Sequence, residues 1–290
     1  MTDKKFEVFA AIMISCVGVF FVFGMPFFVG GIISELGFSQ SQANLVSSAE
    51  IAGMALSSML GFFWIQKYRW KNIAYFGIAI IIIGNFLSSI GSFDENSFSS
   101  LVAIRFITGL FGHGVCFSLG VAAIGRTNNP DQNFAYSVAA QVIMGSLTAL
   151  LVPIAMTKYG ISGMIIPAIG LATIGLFFVT YLSDGNQQDV NVSNPNESSK
   201  IVLLPIIGLL IMIIWQMGVG PFFNNLVPYG IDNGLTGDSI GRALFISTAM
   251  SIIGPISASF LIDKVDRSHA IFGALAVQIL IILSLSLIHI

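Results

Sequence analysis

The polar stretch SDGNQQDVNVSNPNESS, residues 183–199, divides the chain between six apolar runs before it and three after it. Its Ser, Asn, Asp, Gly and Pro content is typical of a flexible linker. Each apolar run is close to or above the ~20 residues that a helix needs to cross a bilayer. The runs cover residues 6–32, 43–65, 72–92, 99–124, 134–156, 161–182, 201–225, 239–262 and 270 to the end. The pattern predicts an all-α polytopic membrane protein with a six-helix bundle at 1–182, a linker at 183–200 and a partial second bundle at 201–290.

The composition also indicates a lipid environment. Of the 290 residues, 55% are hydrophobic and 9% are charged, whereas a soluble domain carries about 25% charged residues. The net charge is -2, so no basic field points to a nucleic-acid partner. Cys16 and Cys116 lie inside apolar runs, where we expect small buried residues and neither a disulfide nor a metal site.

The basic residues lie mainly on one side of the predicted membrane. Cytoplasmic loops are the ones enriched in Lys and Arg. With a cytoplasmic N-terminus, that side holds nine of these residues and the other side holds two, Lys158 and Arg242. The nine are Lys4, Lys5, Lys67, Arg69, Lys71, Arg126, Lys200, Lys264 and Arg267. We therefore expect a multi-pass protein of the inner (plasma) membrane with its N-terminus in the cytoplasm.

Two sequence motifs stand out within this framework. The cytoplasmic ends of the second and eighth runs carry related loops, Gln66-Lys67-Tyr68-Arg69 and Asp263-Lys264-Val265-Asp266-Arg267, which indicates two related bundles. The fourth run contains Arg105-Phe106-Ile107-Thr108-Gly109-Leu110-Phe111-Gly112-His113. At ~100° per residue, Arg105, Gly109 and Gly112 share a face and His113 lies on its flank. Such glycines let a neighbouring membrane helix approach closely.

With these motifs and this order of helices, the chain resembles the major facilitator superfamily. The resemblance implies a monomeric secondary transporter of a small organic solute that works by rocking-bundle alternating access without a cofactor. It also implies that the two loops help to lock the outward-facing state, through Lys67, Arg69, Asp263, Lys264 and Arg267. The first loop departs from the family pattern, because Gln66 stands where an acid is expected. The alternative for this loop is a plain positive-inside signal.

Two ionisable residues are predicted at bilayer depth, where a charge costs at least ~2.5–3.5 kcal/mol and needs a partner or a function. Arg105 lies about six residues, or ~9 Å, from the outer end of its helix, and Glu50 lies at nearly the same depth. Equal depth indicates a pair, and we hypothesise that protonation of Glu50 couples protons to helix movement. The alternative is a structural ion pair or snorkelling. His113 is a further candidate, although a packing role also fits it.

The seventh run carries polar groups within its apolar length. Gln216, Gly220 and Asn224 fall on one face, and we expect Gly220-Pro221 to interrupt the helix and expose backbone groups to substrate. We predict that this face lines the central cavity, with Gln141 of the fifth run as a further candidate. The alternative is a proline kink beside an interfacial belt. Arg105 favours an anionic solute such as a carboxylate, and the apolar surroundings favour an amphipathic one.

Two other functions compete with transport. The degenerate first loop suits a non-transporting sensor or regulator derived from a permease. A membrane-embedded lipid-modifying enzyme would need acidic or histidine clusters at the interface, and the loops contain only scattered Asp and Asn. The sequence shows no nucleophile–base or metal-ligand cluster and no Gly-Lys-Ser/Thr loop for ATP. We therefore expect no enzyme activity and no metal or cofactor.

The last six residues have a second possible origin. Leu285-Ser286-Leu287-Ile288-His289-Ile290 is what CTG TCT CTT ATA CAC ATC encodes, a string that resembles the transposon end used in sequencing libraries. The expectation is that native sequence stops near Ser284 and that 285–290 are adapter-derived. A twelve-helix family member would then be cut inside its ninth helix.

Overall fold

The computed structural model describes residues 5–91, 93–183, 185, 207, 210, 214, 217, 219–261 and 264–288. The regular elements in these ranges are α1 (Lys5–Leu36), α2 (Gln40–Trp64), α3 (Trp70–Ile90), α4 (Phe98–Ile107), a π-helical segment (Thr108–His113), α5 (Gly114–Gly125), α6 (Pro130–Tyr159), α7 (Ser162–Val179), α8 (Leu226–Asp232), α9 (Gly237–Ser251), α10 (Ile253–Leu261) and α11 (Arg267–Ile288). The all-α prediction is confirmed. The predicted linker lies outside the described residues except for Ser183 and Gly185.

Six helical segments are long and apolar enough to cross a membrane. They are α1, α3, the continuous stretch from α4 to α5, α6, α7 and the stretch from α9 to α10. α2 has 25 residues, which is a sufficient length, but Glu50 and several serines make it more polar. The chain is therefore a multi-pass membrane protein.

Local sequence signals set several helix starts. Ser39 caps α2, because its Oγ accepts from the backbone N–H of Gln42 at 3.2 Å while the Gln42 side chain accepts from the N–H of Ser39 at 2.9 Å. α6 begins with Pro130, a residue whose missing N–H costs nothing in the first turn of a helix. At the start of α7, the carboxylate of Glu35 on α1 accepts a hydrogen bond from the backbone N–H of Ile161 at 2.8 Å.

α1 forms the centre of the first bundle. It is buried along most of its length between Ala10 and Ile32 and packs against α5, α6 and α7. Glycines allow the closest of these approaches. A Cβ on Gly18 would overlap the backbone of Phe117 on α5, and a Cβ on Gly120 would lie 2.7 Å from Ser15 on α1. Close backbone approach of this kind is how membrane helices associate, since lipid provides no hydrophobic drive between them.

The outer surface is apolar. Large side chains such as Phe63, Phe177 and Phe272 are 69%, 61% and 71% exposed. In water, an apolar surface of this kind would promote aggregation. Lipid tails, in contrast, solvate it well. The exposed apolar surface and the buried glycine contacts both agree with a helical bundle immersed in a bilayer.

Helices that follow the linker pack against the first bundle. α9 lies along α6, where a Cβ on Gly241 would be 2.6 Å from Cγ of Pro153. The side chain of Gln40, in the first turn of α2, donates to Oδ1 of Asn225 at 3.0 Å. These contacts join the two parts of the chain through α6 and α2.

Candidate functional site

A cluster of charged and polar side chains lies inside the first bundle. Glu50 of α2, Arg105 of α4 and His113 of the π-helical segment are 0%, 0% and 1% exposed. Nothing in their own helices satisfies three ionisable groups at such burial, so each must find partners on neighbouring elements. Their equal depth in the bilayer predicted that Glu50 and Arg105 pair, and the two side chains are in contact. Their role in transport stays a prediction.

Arg105 binds Glu50 through two hydrogen bonds. Its Nε donates to Oε2 at 3.0 Å and its Nη2 donates to Oε1 at 2.5 Å. The third guanidinium nitrogen, Nη1, donates to Oδ1 of Asn85 at 3.0 Å and to Oγ of Ser88 at 3.4 Å, both on α3. A bidentate, charge-assisted pair is the strongest arrangement available to these groups. All three nitrogens of Arg105 are thus engaged within the protein.

Two phenylalanines of α1 cover the guanidinium group. The Arg105 Cζ lies 3.9 Å from the ring centroid of Phe21 and 5.2 Å from that of Phe28. The faces of aromatic rings attract cations, and the attraction is larger where water is excluded. α1, α2, α3 and α4 therefore all contribute to holding Arg105 in place.

The π-helical segment determines which residues face this cluster. Arg105 and His113 are eight residues apart, which in a regular helix would place them about 80° apart around the axis. One extra residue in the turn, as in a π-bulge, reduces this offset to about 20°. The expectation that His113 lies on the flank of the Arg105 face is therefore wrong. The π-helical segment at Thr108–His113 rotates His113 onto that face.

His113 makes one hydrogen bond and one close polar approach. Its Nδ1 lies 3.3 Å from the backbone carbonyl oxygen of Val17 on α1. Its Nε2 lies 3.5 Å from Oε1 of Glu50 and has no hydrogen-bond partner. The ring also lies beside Phe21, with the two centroids 5.7 Å apart.

The two motif glycines face different helices. A Cβ on Gly109 would overlap the carbonyl oxygen of Glu50 on α2, and a Cβ on Gly112 would lie 2.8 Å from Cγ1 of Ile81 on α3. Gly109 thus brings the backbone that carries Glu50 directly against the π-helical segment. This close approach is what lets the short Glu50 side chain reach both Arg105 and His113.

Gln141 belongs to a separate polar cluster between α1 and α6. Its Nε2 donates to Ser137 at 3.1 Å and to Ser15 at 3.3 Å, and the two serine hydroxyls are 2.9 Å apart. This cluster is distinct from the one around Arg105. The sequence reasoning identified Gln141 but neither serine.

The predictions for the seventh run have mixed outcomes. Residues 219–224 are helical and Asn225 is not, so the prediction that Gly220-Pro221 interrupts the helix is wrong for these residues. Asn224 is buried at 8% exposure. Gln216 lies outside the described residues, so the predicted cavity face stays a prediction.

The loop residues are placed as follows. The ammonium of Lys67 lies 5.5 Å from the ring centroid of Tyr68, and Arg69 precedes the first residue of α3. Lys264 is exposed; Asp263 and the side chain of Arg267 lie outside the described residues. Sequence reasoning used Arg126 only as a cytoplasmic basic residue and did not predict that its guanidinium lies 4.6 Å from the ring centroid of Trp70. The conformational lock therefore stays a prediction.

Several residues of the buried cluster were not identified from the sequence. Asn85 and Ser88 are polar residues within an otherwise apolar run, and that signal was available. Phe21 and Phe28 carried no comparable signal, because the chain has 25 phenylalanines and pattern alone does not distinguish these two. Only the packing of α1 against the π-helical segment and α5 brings these two rings to Arg105.

Comparison with known proteins identifies the family. The model of the Major Facilitator Superfamily matches residues 8–290. The structure is similar to a structure of proton dependent oligopeptide transporters, with 16% identity and a TM-score of 0.54 over 87% of this chain and 53% of that one. It is also similar to a bacterial homologue of the human drug peptide transporters, with 18% identity and a TM-score of 0.53 over 90% of this chain and 57% of that one. The chain thus spans a little over half the length of both, and at these identities the likeness concerns the fold. No curated protein matches the sequence.

Proposed function

Because the chain belongs to the major facilitator superfamily, we propose that it acts in secondary active transport of a small organic solute by alternating access of two helix bundles. The observation that carries the proposal is the fully buried pair of Glu50 and Arg105, which joins α2 to α4 inside the first bundle. A buried charge pair is seldom worth more to stability than apolar side chains of the same size. Ionisable groups within membrane spans commonly belong to substrate or ion pathways.

We further propose that the pair couples transport to protons. When Glu50 takes a proton it loses its charge, and Arg105 is left as a buried cation with a weaker partner. A conformation that offers Arg105 water or another acceptor then becomes more favourable. A ligand shifts a conformational equilibrium by its differential affinity for the two states, and here the proton is that ligand.

The arrangement of Arg105 bears on the choice of solute. Its three nitrogens are engaged by Glu50, Asn85 and Ser88, so an anionic solute would have to displace one of these partners to bind it. The polar cluster of Ser15, Ser137 and Gln141 offers hydroxyl and amide groups instead. We therefore keep the solute class broad: a small organic molecule with an amphipathic or carboxylate character.

The test of transport is a counterflow assay. It uses proteoliposomes that contain the full-length protein encoded by the native gene. The labelled panel comprises small carboxylates, amphipathic solutes and, since the two structural neighbours are described as peptide transporters, dipeptides. Accelerated exchange of one class over protein-free vesicles supports transport. Folded protein that exchanges none of them favours a sensor derived from a permease.

Replacing Glu50 with glutamine is expected to flatten the pH dependence of transport. Glutamine keeps the size of the side chain but does not exchange a proton, so the rate should lose its dependence on pH between acidic and neutral conditions. The matched control is Asp238→Asn, because Asp238 is an exposed carboxylate that pairs with Arg242. A pH profile that is the same for wild type and Glu50→Gln contradicts proton coupling through this pair.

The orientation of the chain gives a separate prediction. Cysteine is introduced at Asn129, in the loop between α5 and α6, or at Glu95, in the loop between α3 and α4; both positions are exposed. The native Cys16 and Cys116 are 4% and 0% exposed and should react little. With a cytoplasmic N-terminus, a membrane-impermeant maleimide labels Glu95→Cys in intact cells and labels Asn129→Cys only after the membrane is opened. The reverse pattern would contradict the orientation inferred from the basic residues.

A further inference from the structure

The Nε2 atom of His113 is a buried polar atom with no hydrogen-bond partner. Buried polar groups are nearly always paired, and leaving one unpaired costs roughly 1–3 kcal/mol. The nearest acidic atom is Oε1 of Glu50, at 3.5 Å. An acidic oxygen therefore lies close to this unpartnered nitrogen.

The contact of the other ring nitrogen determines the tautomer of the neutral ring. Nδ1 of His113 faces the carbonyl oxygen of Val17 at 3.3 Å. A carbonyl oxygen only accepts hydrogen bonds, so Nδ1 must carry a hydrogen. In the neutral ring Nε2 then holds a lone pair, and this lone pair faces a carboxylate oxygen. Two acceptors oppose each other at this point.

We propose that Glu50 Oε1 and His113 Nε2 together bind one proton, so that the coupling proton is held between α2 and the π-helical segment. The inference deepens the proposed function, on which it rests for the role of this proton in transport. One added proton converts the two opposed acceptors into a donor and an acceptor, whichever atom carries it. Glu50 still accepts from Arg105 in this arrangement, because each carboxylate oxygen has two lone pairs.

The surroundings contain few other charges. Among the described residues that contact the cluster, α4 contributes the cation of Arg105, and α2 contributes Glu50. α1 contributes the carbonyl of Val17 and the ring of Phe21, and α3 contributes the neutral Asn85 and Ser88. On α5, the thiol of Cys116 faces Gly77 of α3. Glu50 is thus the partner that makes a proton on His113 favourable, and Arg105 opposes it.

The balance of charge explains how this proton would act on the fold. Without it the cluster is neutral, since one guanidinium pairs with one carboxylate. With it the cluster carries one positive charge inside the bundle, where an uncompensated charge is costly. The ring of Phe21 contacts both Arg105 and His113 and offsets part of that cost. The remaining cost of the buried charge favours a conformation in which the cluster is exposed to water. Proton binding is thereby coupled to the conformational change that transport requires.

The experiment is a pH titration of the histidine side-chain nitrogens by ¹⁵N NMR in lipid bilayers. The chain has three histidines, so the spectrum is simple and assignment by substitution is direct. In the wild type, we expect the ¹⁵N signal of Nε2 of His113 to change, as the pH falls, from that of a lone-pair nitrogen without a hydrogen bond to that of a nitrogen that shares a hydrogen with Glu50, with Nδ1 protonated throughout. In Glu50→Gln this transition should be lost or displaced by more than one pH unit.

His269 supplies the internal control, because its side chain is 83% exposed and only 3.9 Å from Asp266. Its ¹⁵N signals should be the same in the wild type and in Glu50→Gln. The proposal is overturned if the ¹⁵N signal of Nε2 of His113 does not change across the range in which histidines titrate, or if its change with pH is the same in Glu50→Gln. Both readouts are independent of transport, so a positive titration without solute exchange would overturn the proposed function and leave the proton site standing.

A second variant covers the case in which Glu50→Gln does not fold. His113→Gln keeps an amide that can donate to Glu50 but removes the proton site. We expect it to lose proton uptake driven by a solute gradient, because that uptake depends on the shared proton site. His269→Gln should retain this uptake. Retention of proton uptake by His113→Gln would overturn the assignment.

Discussion

Replacing Arg105 with methionine is expected to lower the free energy of unfolding by about 3–5 kcal/mol, because it leaves Glu50 buried as an unpaired carboxylate. Glu50 is 0% exposed, so water does not take the place of the lost guanidinium. Asn85 and Ser88 also lose a donor. Equilibrium unfolding of the purified protein in mixed detergent micelles measures the change.

Two matched variants identify the cause. In the double variant Glu50→Met/Arg105→Met both charges are absent, and most of the stability should return, because apolar side chains of similar size can replace a buried pair at little cost. Arg242→Ala removes an arginine from an exposed pair with Asp238, whose side chains are 65% and 58% exposed. It should change the stability by less than about 0.5 kcal/mol. Equal losses from Arg105→Met and Arg242→Ala would mean that burial of the pair is unimportant.

Replacing Gly109 with alanine is expected to cost about 1–3 kcal/mol by overpacking. The new Cβ would overlap the carbonyl oxygen of Glu50, which is a backbone atom and moves only if α2 moves. Because the same backbone carries the Glu50 side chain, the substitution should also disturb the contacts with Arg105 and His113. Thermal unfolding in detergent gives the first effect, and the NMR signal of His113 gives the second.

The control for this substitution is Gly170→Ala in α7. A Cβ at Gly170 would meet nothing within 4 Å, so the only expected effect is the higher helix propensity of alanine, worth about 0.5–1 kcal/mol in favour of the variant. If Gly109→Ala lowers the stability and Gly170→Ala raises it, the effect of packing is separated from that of helix propensity. Destabilisation of the same size at both positions would contradict the close contact between Gly109 and α2.

The two large effects have a common origin in the contact between α2 and the π-helical segment. Gly109 sets the distance between the two backbones, and Glu50 uses that distance to reach Arg105 and His113. π-helical turns are rare and are frequently found at functional sites, where an extra residue redirects a side chain. Here it is His113 that is redirected, by about a quarter of a turn relative to a regular helix.

Much of the architecture could be predicted from the sequence. Apolar runs of bilayer length predicted the bounds of the membrane-spanning segments between residues 5 and 179 to within about four residues, because the hydrocarbon thickness imposes one length on every span. They did not predict α8 or the break between α9 and α10. Capping residues such as Ser39 and Pro130 mark helix starts for local reasons. The pairing of Glu50 with Arg105 followed from equal depth, since two charges at one level in lipid have few other partners.

Other features were not accessible by the same reasoning. The extra residue in the π-helical turn has no local signature, and the regular period of 3.6 residues placed His113 on the flank of the Arg105 face. Asn225, and not Gly220-Pro221, ends the helical residues 219–224. For His113, the regular helical period was overridden by the π-helical turn.

The sequence by itself therefore determined that the chain is a polytopic helical membrane protein and that Glu50 and Arg105 lie at one depth. These properties depend on hydrophobicity and length, which are local and additive along the chain. Only the tertiary structure decided that Asn85, Ser88, Phe21 and His113 join this pair. That outcome depends on how α1, α2 and α3 cross the π-helical segment, and such crossings are set by contacts between residues far apart in sequence.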